Sequence, residues 1–297
     1  MAWTTADIPD QSNKTIIVTG ANSGIGFETA LELVKKNATV VLACRNQEKG
    51  AEAVKRIEAT DAPGLAVLMS LDLSSLDSVR SFAADFQSRY SQLDLLINNA
   101  GVMIPPLSRT KEGFELQFGT NHLGHFLLTT LLLPMIEASG GRIVNVSSNA
   151  HKMGKIDFED PNYQKRTYHR LEAYNQSKLA NLLFTLELNK RLNSSEAKAV
   201  SAHPGWTASA LARTAWWADL PHRVFGQSAE MGALPTLRAA VDPEADPGDY
   251  YGPSSMFEIR GAPVKVEPVA AAKDEDTAAQ LWTLSEELTS DSSRENV

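Results

Sequence analysis

Short β-branched apolar runs alternate along this chain with longer stretches of helical pattern. The runs Thr15–Thr19, Thr39–Ala43, Leu65–Leu71, Leu93–Ile97, Arg142–Ser147 and Ala197–Ala202 are predicted strands. Helices are predicted over Gly24–Lys36, Gln47–Ala59, Leu76–Tyr90, Leu171–Leu192 and Ser228–Val241, and Phe114–Ala138 is mainly helical. Alternation of this kind builds a parallel sheet with helices on both faces. The near-continuous apolar character of the strands agrees, because such strands are covered on both sides. The predicted fold class is therefore α/β with a doubly wound parallel sheet. Two segments break the alternation: the polar His151–Arg170, and the mixed Trp206–Gln227 with Trp216-Trp217 at its centre. Both follow strand C-termini, where open α/β sheets bind ligands.

Composition narrows the classes. A chain of 297 residues allows one domain or two. At 43% apolar and 22% charged, it is an ordinary globular protein rather than a disordered one. The formal charge of −8 argues against nucleic acid as a partner. Cys44 is the single cysteine, which excludes an internal disulfide framework and any multi-cysteine metal site, and fits a reducing compartment. The polar N-terminus, Met1–Asp7, has neither the basic nor the apolar region of a signal peptide. The uncharged stretch between Glu115 and Glu137 is interrupted by Gln117, Asn121, His122, His125 and Pro134. It predicts a buried helix over Phe126–Ile136 rather than a membrane span. A soluble, cytoplasmic protein is expected. With no linker or repeat in sight, residues 14–284 are expected to form one domain that includes loops 149–170 and 204–227. An N-terminal arm, 1–13, precedes it, and a polar tail, 285–297, that frays follows it.

Candidate chemistry begins at Thr19-Gly20-Ala21-Asn22-Ser23-Gly24-Ile25-Gly26, between the first strand and the first helix. Glycine permits positive φ and close backbone approach to a ligand. The helix N-terminus then offers unpaired N–H groups to a phosphate. A strand before and a helix after, within the first βαβ unit, are the context in which such a turn binds a dinucleotide. An acid at the tip of the second strand would accept from a ribose 2′-hydroxyl, whereas an arginine accommodates a 2′-phosphate. The tip here reads Cys44-Arg45-Asn46. NADP(H) is thus preferred, with NAD(H) still possible. Cys44 reads as a small packed residue, not a reactive thiol.

These residues resemble the short-chain dehydrogenase/reductase family over about Lys14–Thr289. The glycine motif is Thr19–Gly26, and the adenine-contacting acid matches Asp72-Leu73. The Asn-Asn-Ala-Gly motif is Asn98-Asn99-Ala100-Gly101. The catalytic asparagine and serine match Asn121 and Ser148, and the Tyr-x-x-x-Lys motif is Tyr174–Lys178. The Pro-Gly motif is Pro204-Gly205, with Thr207 and Ser209 beyond it. Asn121–Phe126 and Tyr174–Phe184 resemble the retinol-dehydrogenase-like and WW-domain-oxidoreductase-like branch. The resemblance implies a Rossmann fold and hydride transfer between NADP(H) and a hydrophobic ketone or aldehyde, or the corresponding alcohol. Cofactor contacts are implied at Gly20, Asn22, Ser23, Gly24, Ile25, Gly26, Arg45, Asn46, Asp72, Leu73, Asn99, Ala100, Gly101, Tyr174, Lys178, Pro204, Gly205, Thr207 and Ser209. Three departures stand out. His151–Arg170 is an insert, Ser209 replaces the family threonine, and Ser23 replaces a basic residue that some NADP-dependent members carry.

The catalytic assignment also follows from chemistry. A ketone needs a proton as hydride arrives, and the reverse reaction needs a base. Tyrosine, with an ordinary pKa near 10, does neither well at neutral pH. A nearby cation favours the phenolate. Tyr174 and Lys178, spaced i, i+4, share a helix face. Lys178 can therefore lower the Tyr174 pKa and also reach the ribose hydroxyls. Ser148 would donate to the substrate oxygen as charge develops there. By resemblance, Asn121 would hold a water linking Lys178 to solvent. Strand alternation lets one of Ser147 and Ser148 face the site, and the family pattern favours Ser148.

Alternatives stay open. One is an NADP-binding redox-sensing regulator without turnover, a second a sugar-nucleotide epimerase or dehydratase, and a third a light-driven pigment reductase on the same fold. His122 and His125 are read as packing residues without a metal. Trp216 and Trp217 are either a substrate lid or core. Lys273–Asp276 and Glu286-Glu287 are read as solvated charge. Monomer and homodimer are both possible.

Overall fold

The computed structural model describes residues 2–192, 196–207 and 226–290. The expected strands form as β1 (Thr15–Thr19), β2 (Thr39–Cys44), β3 (Leu65–Ser70), β4 (Leu95–Asn98), β5 (Arg142–Val146) and β6 (Lys198–Ala202). The helices are α1 (Gly24–Val34), α2 (Gln47–Glu58), α3 (Leu76–Arg89), α4 (Gly124–Ala138), α5 (Arg170–Arg191), α6 (Ala229–Val241) and α7 (Glu275–Thr289). Before α4, the chain passes through a short helical turn, Leu116–Phe118, and a π-helical turn, Gly119–Leu123.

One eight-stranded sheet runs β3-β2-β1-β4-β5-β6-β7-β8 and is parallel except for the last pair. The chain leaves β1 in one direction for β2 and β3, then returns to place β4 on the other side of β1. That reversal opens a crevice at the C-terminal ends of β1 and β4. Alternate strand residues feed two cores. Ile17, Val41, Leu96 and Ile143 join the core under α3, α4, α5 and α7. Ile16, Val18, Val40, Leu42, Ile97 and Val144 join the core under α1, α2 and α6. Both faces are dry, which is why the strands read as unbroken apolar runs.

Two elements were not foreseen. Strands β7 (Tyr250–Ser255) and β8 (Arg260–Lys265) form an antiparallel hairpin at the sheet edge. Pro253 pairs with Pro263 across it, and prolines and glycines hide a strand from propensity. Helix α7 occupies a stretch read from its charges as solvated. Asp274 caps it, accepting from Asp276 N and Thr277 N at 3.1 Å. Leu281 and Trp282 are buried on its inner side. The polar tail expected from 285 is corrected as far as Thr289, because Ser285 and Thr289 are buried helix residues. The Ser285 hydroxyl has a partner inside, His122 Nε2 at 2.8 Å. Positions 291–297 lie outside the described residues.

Phe126 ties this helix to the core. It is 1% exposed, with its ring centroid 4.9 Å from Trp282 and 5.4 Å from Phe184. Phe126→Ala is expected to cost about 3–5 kcal/mol through lost transfer energy and the cavity left behind. Chemical denaturation followed by tryptophan fluorescence reads this directly, and an unchanged midpoint would contradict the packing described.

Candidate active site

The crevice is a cavity of about 550 Å³. Its floor at one end is the glycine turn. Gly20 and Gly24 adopt left-handed conformations, with φ of 67° and 56°. A Cβ on Gly26 would come within 2.5 Å of Asn99 Nδ2 and 2.6 Å of Gly20 O, so the turn folds tightly on itself and on the next loop. Asn46, Ser75, Ser228 and Asp274 accept backbone N–H bonds at the starts of their helices, but Ser23 makes no such bond at the start of α1. The first N–H groups of α1 thus stay available toward the cavity. This arrangement suits a phosphate. Gly20, Asn22, Ser23, Gly24, Ile25 and Gly26 all line the cavity.

The residues expected at the adenosine end lie together. Arg45, Asn46, Asp72 and Leu73 line the cavity. Arg45 Nη1 is 4.0 Å from Asp72 Oδ1, with the Arg45 side chain 67% exposed. Asp72 Oδ1 is also held by Ser74, accepting from its N–H at 3.0 Å and its hydroxyl at 2.6 Å. Lys49, not foreseen, adds a second cation to the same wall. Its signal was available, since it lies one helical turn beyond Arg45 on α2. Cys44 is buried, and burial pushes its thiol up to about 11, in keeping with a packed residue.

Asn99, Ala100 and Gly101 continue the wall. The Thr19 hydroxyl accepts from the N–H groups of both Asn99 and Ala100 at 2.9 Å, and Asn99 Nδ2 donates to Thr19 O at 2.8 Å. Beyond them Val102, Met103, Pro105 and Thr120 form a wall that sequence reasoning did not name. Asn121 is fully buried behind it. Its side chain accepts from Val102 N at 2.8 Å and donates to Val102 O and to Ser177 Oγ, each at 3.0 Å.

Tyr174 and Lys178 line the far end of the cavity. The Lys178 ammonium lies 5.7 Å from the Tyr174 ring centroid and donates to Val146 O at 3.1 Å. Burial pushes it down to about 8. Burial likewise pushes the Tyr174 phenol up to about 12, opposed by a hydrogen bond with Ser148. The expected lowering by Lys178 is not expressed in this arrangement, because desolvation dominates at that separation. Both serines lie beyond the end of β5, and Ser147 lines the cavity whereas Ser148 does not. Ser148 meets Tyr174, while the Ser147 hydroxyl donates to Lys178 O at 2.8 Å.

Pro204 lines the cavity, but Gly205 and Thr207 do not. The Thr207 hydroxyl donates to Pro204 O at 2.9 Å, and its side chain packs on Gly232 of α6. Ser209, Trp216 and Trp217 lie outside the described residues. The insert 151–170 is a braced wall. Asp160 accepts from the N–H groups of Gln164, Lys165 and Arg166 at 2.7–2.9 Å. Arg109 donates to Asn162 O and Tyr163 O, and Tyr168 donates to Glu115 at 3.1 Å.

The β7–β8 turn reaches this end as well. Met256, Phe257 and Glu258 are consecutive left-handed residues, with φ of 51°, 56° and 64°. That turn aims the Glu258 carboxylate at Lys152 Nζ and His203 Nε2, each 3.1 Å away. Asn149 Nδ2 donates to Glu258 O at 3.1 Å, and Trp206 N to Ile259 O at 2.8 Å. One turn thereby pins the segments that follow β5 and β6.

Among the described residues no group of His, Cys, Asp and Glu could hold a metal ion. His122 and His125 are buried, and desolvation pushes them down to about 3 and about 4. Among the described residues no helix is long and apolar enough to cross a membrane.

A crevice at the switch point, a glycine turn at the start of α1 and a Tyr–Lys pair in the same cavity are the arrangement of a nicotinamide-dependent oxidoreductase. The chain belongs to the short-chain dehydrogenase family, whose family model matches residues 14–218. It is retinol-dehydrogenase-like: human retinol dehydrogenase 13 is 44% identical over 286 residues, covering 93% of this chain and 84% of the relative. Mouse (Mus musculus) retinol dehydrogenase 12 is 42% identical over 281 residues, covering 93% of this chain and 86% of the relative. The crystal structure of an uncharacterized protein from Mycobacterium paratuberculosis is similar, with a TM-score of 0.82 and 43% identity, covering 97% of this chain and 98% of that one.

Proposed function

We propose that the protein transfers a hydride between NADP(H) and a hydrophobic aldehyde or ketone, or the corresponding alcohol, with Tyr174 as acid and base. The observation that carries this reading is the pair Tyr174 and Lys178 at one end of the cavity, with Ser148 hydrogen-bonded to Tyr174 and with Arg45 and Lys49 lining the same cavity.

The bound dinucleotide supplies or accepts the hydride. The residues fit it: the free N–H groups of α1 suit its phosphates, and Arg45 and Lys49 suit a 2′-phosphate. Asn99, Ala100, Gly101 and Pro204 continue the same wall toward Tyr174. Ser148 donates to the substrate oxygen and Tyr174 delivers its proton there. Deprotonation of a phenol held at about 12 is costly near neutral pH. Lys178 offsets that cost when it releases its hold on Val146 O and turns its charge toward the phenolate. By the family resemblance, Asn121 holds a water that links Lys178 to solvent.

Val102, Met103 and Pro105 favour an apolar substrate, as do relatives named for retinol. The lone buried cysteine suits a reducing, cytoplasmic setting. A panel of aldehydes and ketones, including retinaldehyde and decanal, assayed at the nicotinamide absorbance with NADPH and with NADH, tests the reading. Turnover of apolar carbonyls with NADPH ahead of NADH is expected. No turnover with any member of the panel would overturn it.

A further inference from the structure

We propose that His125 is a positioning residue that links the cofactor wall to the Tyr174 helix through a directed chain of hydrogen bonds. This inference rests on the assignment of Tyr174, Lys178 and Asn121 above.

The direction follows from counting protons. A hydroxyl carries one hydrogen and two lone pairs. At Thr19 both lone pairs are filled by the N–H groups of Asn99 and Ala100, each at 2.9 Å. Its hydrogen must therefore point outward. His125 Nε2 is 2.9 Å away and Ile97 O is 3.3 Å away, so the imidazole is the nearer acceptor. Nε2 then has no hydrogen of its own, and Nδ1 carries it. Nδ1 lies 3.0 Å from Asn121 O and donates to it.

From Asn121 the chain divides. The side-chain amide grips Val102 through both its N–H and its carbonyl, and donates to Ser177 Oγ. Ser177 in turn donates to Tyr174 O at 2.8 Å. One imidazole thus stands between the Asn99–Ala100 step, which lines the cavity, and the turn of α5 that carries Tyr174 and Lys178. It is 2% exposed, and both ring nitrogens are satisfied. His122, on the preceding turn, bonds to Ser285 instead and takes no part. A packing histidine would need only its volume, whereas this one needs an acceptor at one end of the ring and a donor at the other.

The two ends separate by substitution. Asparagine places an N–H near the position of Nδ1 and keeps the bond to Asn121 O, but falls short of Thr19. Glutamine reaches Thr19 with its Oε1 and loses the bond to Asn121 O. His125→Asn is expected to raise the Kd for NADPH about tenfold with kcat within about threefold of wild type. His125→Gln is expected to show the reverse, with kcat down about tenfold and NADPH affinity nearly unchanged. His125→Phe should lose both. NADPH binding is read by fluorescence quenching and kcat with retinaldehyde or decanal, whichever the panel shows to be turned over. Equal effects of asparagine and glutamine on both constants, or none from any variant, would overturn the proposal.

Should the variants fail to fold, ¹⁵N NMR of the wild-type imidazole decides. An Nδ1–H tautomer that does not titrate between pH 5 and pH 9 is required, and an Nε2–H tautomer overturns the proposal. Tyr174→Phe, run alongside, keeps the two readings apart. If that variant retains turnover the acid/base assignment fails, while the tautomer and the binding split still judge His125.

Discussion

Tyr174→Phe is expected to lower kcat by about 10²–10⁴-fold, the range supplied by a positioned general acid or base. The ring stays, so packing against the cavity wall and the Lys178 contact at 5.7 Å are kept. Only the hydroxyl is lost, with its proton and its bond with Ser148. The Kd for NADPH should therefore move by no more than about tenfold, since no more than one hydrogen bond to the cofactor site is at stake. The same result separates an enzyme from an NADP-binding regulator. A regulator would have no turnover to lose and would bind NADPH as before. Single-turnover kinetics is the appropriate measurement, because product release can mask a loss in the chemical step. Wild-type turnover in this variant would remove the basis for assigning Tyr174.

Arg45→Asp is expected to raise the KM for NADPH about a hundredfold while changing that for NADH by less than about threefold. A hydrogen bond to a charged group contributes about 1.5–3 kcal/mol, or roughly 10–150-fold. Reversing the charge adds repulsion to that loss. Arg45 is 67% exposed, so the effect is screened and should shrink as salt is raised. Lys49 holds part of the same field, and Arg45→Asp combined with Lys49→Ala should exceed either alone. The Arg45–Asp72 contact at 4.0 Å shows why the arginine is poised. Asp72, itself fixed by Ser74, lies close enough to favour the exposed guanidinium electrostatically at the cavity edge. Equal losses with both cofactors would mean that Arg45 supports the fold of the wall and does not discriminate.

The parts of the site that were legible in sequence are those governed by local backbone. Gly20, Gly24 and Gly26 specify a turn within a few residues. Tyr174 and Lys178 share a face because a helix repeats every 3.6 residues. Alternation left either Ser147 or Ser148 to face the site, and it was the family pattern that pointed to Ser148. The paired edge strands were not legible. Gly252, Pro253, Gly261 and Pro263 carry poor strand propensity, and β7 forms because β6 offers it a partner. Helix α7 was hidden for a similar reason. Its charged ends read as solvated, and Trp282 becomes core only once α4 and α5 supply Phe126 and Phe184.

The sequence by itself determined the layered α/β architecture, the positions of its first six strands, the place of the crevice and the residue types along it. Periodicity and glycine placement are properties of neighbouring residues, and they fix local geometry before any distant contact forms. Tertiary structure alone decided which buried groups speak to one another. Glu258 arrives from a turn after β7 to hold Lys152 and His203. Lys49 faces the cavity because α2 packs with that side toward it. His125 bonds to Thr19, which lies 106 residues away, and its tautomer follows from two backbone amides of yet another loop. Hydrogen-bond direction depends on every donor and acceptor that the fold brings within 3 Å, and no pattern along the chain carries that count.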